Sequence, residues 1–124
     1  MKQKPLNFII PLIVYPFDLM VSINQSNDDI EKSLKAKNVD YTDVNVRNES
    51  STRRGRTIIF KGNQTLIRLF DFEKTPECYG YLAHEVFHAV EFVMERVGMK
   101  LCFKSNEAYA YLVGYITTEI YKKL

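Results

Sequence analysis

The chain has 124 residues, 46% of them apolar and 26% charged, and its 17 basic and 15 acidic side chains leave a formal net charge of +2. These values exclude wholesale disorder and fibrous repeats, and they fit one small domain over residues 1–124. The near-balance of charge gives no reason to expect nucleic acid as a partner, and no run of 18 residues is free of both charge and proline, so no membrane partner is expected.

The two cysteines, Cys78 and Cys102, are predicted at the start of a long helix and beyond its far end. A helix from Cys78 to Gly98 spans roughly 30 Å at about 1.5 Å per residue. The four residues on to Cys102 reach back at most about 14 Å, whereas a disulfide needs the Cα atoms within about 7 Å. Free thiols are therefore expected, which fits a reducing, cytoplasmic compartment. Lys2 and Lys4 before Leu6–Tyr15 loosely mimic a secretory signal, but Pro5, Pro11, Pro16 and Asp18 and the lack of a small-residue cleavage site favour a buried strand.

In chain order, residues 8–23 are rich in Ile, Val, Phe and Tyr and read as one or two strands broken at Pro11 or Pro16. Ser26 opens a helix over about 27–38, with acids in its first turn, lysines in its last, and Ile30, Leu34 and Lys37 along its inner stripe. Residues 40–56 are polar, and NESSTRRGR within them reads as a mobile loop. Thr57–Lys61 and Thr65–Phe72 flank Gly62-Asn63 as a hairpin. Thr75 caps a helix that carries proline at its first position and runs to about Val97, stopping at Gly98. Ser105 or Asn106 opens a last helix to about Tyr121. The order reads β-α-β-β-α-α: an α+β domain in which a small sheet precedes an antiparallel helix pair.

The long helix contains His84-Glu85-Val86-Phe87-His88, an HExxH. Residues four apart on a helix share a face, so the two imidazoles project together and can bind one metal ion. Glu85 is offset by about 100° and flanks the ion, where a carboxylate can take a proton from metal-activated water. The only two histidines in the chain make this motif, and chance produces such an arrangement on the order of once in a thousand shuffles. The competing reading is a solvated stripe formed by His84, His88, Glu91 and Glu95.

A catalytic zinc needs three protein ligands and an open position. No third histidine exists, so the third ligand must be an acid. Glu107 is the first choice, because an antiparallel helix pair would bring it level with the histidines. Glu91 is the second, and it fits better as an acceptor for an imidazole N–H. The competing role for Glu107 is a first-turn acid that complements the helix dipole.

HEVFH followed by SNEAYAYLVGY resembles the gluzincins, the thermolysin-like zinc metallopeptidases. There a helix carries HExxH and a following helix supplies a glutamate ligand, often in an N-E-A segment, here Asn106-Glu107-Ala108. The resemblance covers residues 76–121 and implies a minimal zincin-like domain. In it His84, His88 and Glu107 hold Zn2+, and Glu85 is general base and proton shuttle. Compact proteins of this kind also resemble regulatory peptidases carried by phages and mobile elements. The chain departs from the family pattern in placing Tyr111 where an aspartate often orients a histidine. Tyr111 and Tyr115, on the Glu107 face, are the candidates for stabilising an oxyanion, against a packing role for both. Gly114 on that face would allow close helix approach.

The implied function is a zinc-dependent peptidase, an endopeptidase acting on peptide or protein substrates. The alternative is a catalytically inactive zinc-binding regulatory or interaction module on a peptidase-like scaffold. One hairpin strand, 57–61 or 65–72, could offer an edge for an extended substrate, unless both are internal. Arg68 reads either as a contact for an acidic or C-terminal group or as an exposed strand charge. Arg47, Arg53, Arg54 and Arg56 make the preceding loop basic.

Overall fold

The structure is a computed structural model that describes residues 1–124. Four strands and three helices follow the order β1 (Leu6–Pro11), β2 (Asp18–Ile23), α1 (Asn27–Ala36), β3 (Gly55–Ile59), β4 (Thr65–Leu69), α2 (Pro76–Arg96) and α3 (Asn106–Tyr121). The α+β class stands. The apolar stretch near the N-terminus is two strands rather than one, an antiparallel hairpin that pairs Leu6 with Ile23 and Pro11 with Asp18. Proline breaks the ladder because it has no N–H to donate, and the turn falls between Pro11 and Asp18.

The sheet order is β1-β2-β4-β3, with β2 and β4 parallel and the other neighbours antiparallel. Strand β4 is therefore internal, and β3 is an edge. Alternation splits the residues between two cores. On one face Leu19, Val21, Ile23, Ile67 and Leu69 pack with Leu82, Val86, Ala89 and Val93 of α2 and Leu112, Ile116 and Ile120 of α3. On the other, Met20, Ile58 and Leu66 pack with Ile30 and Leu34 of α1. The inner stripe of α1 is thus Ile30 and Leu34, while Lys37 is its C-cap.

The local signals act as expected at the ends of α1 and α2, whereas Ser105 at the start of α3 does not cap it: its hydroxyl donates to the Lys100 carbonyl and accepts from the Cys102 amide. Ser26 accepts a hydrogen bond from the amide of Asp29, and Thr75 from that of Cys78. Gly98 follows α2 with φ +76, a conformation that costs glycine nothing and so stops the helix. Cys78 and Cys102 are free thiols. The polar segment before β3 is tied down. Arg47 bonds Asp28 and Glu31, Asn48 bonds Asn27, Arg56 bonds the Asn45 carbonyl, and Val46 is buried between them.

Candidate metal centre

Helix α2 lies on the sheet through Leu82, Val86, Ala89 and Val93. At about 100° per residue, His84 and His88 lie roughly 150° around the helix from that stripe, and they face solvent. His84 is exposed and the His88 side chain is 43% exposed. Their Nε2 atoms stand 3.1 Å apart, so both rings turn the same nitrogen toward one point. Two nitrogens bound to one tetrahedral zinc at about 2.0–2.1 Å lie about 3.3 Å apart, so this pair fits two of the corners. The Nδ1 of His88 lies 3.0 Å from Glu91 Oε1. A carboxylate there accepts the Nδ1–H and leaves the Nε2 lone pair free for a metal. Glu91 thus takes the accepting role expected of it.

Glu85 does not share the solvent stripe. It is 7% exposed and points toward edge strand β3. The Thr57 hydroxyl divides its proton between Glu85 Oε1, at 2.8 Å, and the Glu85 carbonyl, at 3.1 Å. Gly55 makes the approach possible, because a Cβ there would stand 2.8 Å from Glu85 Cγ and Oε2. Thr57 and Gly55 escaped the sequence reading. Strand periodicity puts them on one sheet face, but nothing local says which helix residue covers that face.

The third ligand is where expectation and structure part. No three His, Cys, Asp or Glu side chains come together in a group able to hold a metal ion. Helix α3 buries Tyr109, Leu112, Ile116 and Ile120. Glu107 lies on the far side of that stripe, exposed in the first turn. The helix pair forms, but its apolar stripes turn Glu107 away from the histidines. The tyrosines are also placed elsewhere. Tyr111 is 81% exposed, and the Tyr115 hydroxyl donates to the Pro11 carbonyl at 2.7 Å, which leaves its proton committed to the β1 end. Tyr109 is buried and donates to the Met99 carbonyl. Gly114 faces open space, with nothing near a would-be Cβ, so close helix approach is not its role.

The chain therefore brings together His84, His88 and Glu91 on one face, and Glu85, Thr57 and Gly55 on the adjoining one. No family model, curated protein or solved structure matches the chain.

Proposed function

We propose that the chain is a zinc-dependent peptidase. The observation that carries this reading is the convergence of the two histidine Nε2 atoms, 3.1 Å apart, beside a carboxylate anchored on a sheet edge. His84 and His88 would hold the ion, with Glu91 setting the tautomer of His88. Glu107, on the far side of the buried stripe of α3, does not join the pair, so water and a group of the substrate would complete the coordination. When bound, zinc supplies Lewis acidity that activates water and polarises a peptide carbonyl.

Glu85 would act through its carboxylate oxygens, taking a proton from water at Oε2 while Thr57 holds Oε1, and returning it to the leaving amine. The unpaired side of β3 runs past Glu85, so an extended peptide added there as a further strand would pass the base and the histidines together. The other hairpin strand, β4, is paired on both sides and offers no edge.

A second reading is favoured by the lack of a three-residue metal group: a non-catalytic module whose histidine pair shares a metal with a partner. Zinc titration and peptide-library cleavage separate the two. A peptidase loses turnover in Glu85→Gln but keeps zinc, and His84→Ala weakens zinc binding. Bound zinc with no turnover of any library peptide by the parent chain supports the module instead.

A further inference from the structure

The sheet face opposite the histidines holds a buried cation with no acid beside it. Arg68 on β4 is 2% exposed, not the exposed strand charge the sequence allowed. Its Nη1 donates to Asn27 Oδ1 and the Val46 carbonyl, both at 3.0 Å, and its Nη2 to the Gln25 carbonyl at 2.7 Å. Its Nε is buried and has no partner. A guanidinium has five donors, so one on Nε and one on Nη2 are unspent. These two nitrogens form the side of the fork that grips an oxyanion through two parallel bonds. The Phe70 ring fixes the plane, its centroid 4.6 Å from the guanidinium carbon. Burial, then the charges of Arg56 and Arg47, push the Arg68 pKa down to about 10, so it is still a cation at neutral pH.

Arg68 lines a polar cleft of ≈ 310 Å³ in which Phe70 is the sole apolar residue. Helix α1 begins at this cleft with Ser26 and Asn27. Ser26 caps the Asp29 amide, while the Asn27 and Asp28 amides donate to no group of the chain. Lys2 also lines the cleft. The one carboxylate on the cleft, Asp71, is held by Lys2 at 2.5 Å and Arg54 at 3.2 Å. A buried cation without a counter-charge is costly, and a helix start offers free amides and a positive dipole end to an anion. Donors come from the Arg68 floor and the start of α1, two separate elements that the several oxygens of a phosphate can meet at once.

We propose that this cleft binds a phosphate group, as inorganic phosphate or as the phosphoryl end of a small phosphomonoester, with the Arg68 guanidinium as its floor and the start of α1 as its wall. The site is independent of the histidine pair. The test is a 1H–15N titration of the full chain with sodium phosphate, and in parallel with glycerol 3-phosphate, against sodium chloride at equal ionic strength. Expected is a saturable shift of the Arg68 Nε–H resonance and of the Asn27 and Asp28 amides. The source of the group is identified by the probe that saturates at lower concentration. Arg68→Lys, which keeps the charge and loses the fork, is expected to weaken phosphate binding at least tenfold. An Arg68 Nε–H resonance that stays still at saturating probe, or moves equally in chloride, overturns the proposal. That measurement on the unaltered chain decides even if Arg68→Lys does not fold.

Discussion

The Thr57 hydroxyl lies 2.8 Å from Glu85 Oε1 and joins the edge of the sheet to the HExxH helix at the residue assigned as general base. Thr57→Val keeps the shape of the side chain and removes this donor. The buried carboxylate then lacks its hydrogen bond, and a loss of about 1–3 kcal/mol is expected. Urea unfolding measures it. If Glu85 is the base, peptide cleavage in Thr57→Val also falls, since the carboxylate is no longer held at the strand.

Gly55→Ala tests the same joint by crowding it. The added Cβ would stand 2.8 Å from Glu85 Cγ and Oε2, so the Glu85 side chain must move. The expected cost is about 1–3 kcal/mol of stability. A structure of the variant should show the Thr57–Glu85 bond broken. An unmoved Glu85 would mean that the strand, rather than the side chain, yields.

Glu91→Gln removes the charged acceptor at His88 Nδ1, 3.0 Å away. Zinc affinity is expected to fall by about 10–100-fold, measured by competition with a chelator of known affinity. An unchanged affinity would show that the Glu91 contact does not prepare His88 for a metal.

Asn24 is a structural joint on the wall of the polar cleft. It sits at φ 57, its Nδ2 donates to the Gln3 and Phe72 carbonyls, and its Oδ1 accepts from the Phe72 amide. Asn24→Ala loses three hydrogen bonds worth about 1 kcal/mol each and keeps the left-handed backbone that alanine disfavours. A destabilisation of about 3–4 kcal/mol is expected in equilibrium unfolding. A value below about 1 kcal/mol would show that the N-terminal segment contributes little.

The two thiols should differ in reactivity. The Ser105 hydroxyl, followed by the backbone amides of Lys104 and Ser105, holds the exposed Cys102 thiol below its ordinary pKa. Its thiolate therefore forms at lower pH than that of an unperturbed cysteine. Iodoacetamide on the native chain should give one adduct, at Cys102, while buried Cys78 stays unmodified. Ser105→Ala should move the pH midpoint of the reaction upward. Two adducts on the native chain would contradict the burial of Cys78.

The sequence by itself determined the elements with strong local grammar. Ser26, Thr75 and Gly98 end helices through bonds and backbone conformations made within a few residues, so short spacings suffice to read them. The i, i+4 pairing of His84 with His88 and the i, i+3 contact of Glu91 are equally local, because one helix sets both. Tertiary structure alone decided the rest. The turn between Pro11 and Asp18 made two strands of one apolar run. The order β1-β2-β4-β3 made β3 an edge and buried β4, carrying Arg68 into the interior under the loop that Arg47 and Asn48 fasten to α1. The packing of α3 through Tyr109, Leu112, Ile116 and Ile120 set the rotation of that helix and turned Glu107 outward. A helix's rotation against its neighbours is fixed by the burial of its whole apolar stripe, a sum over many distant contacts, and no single residue or spacing records that sum.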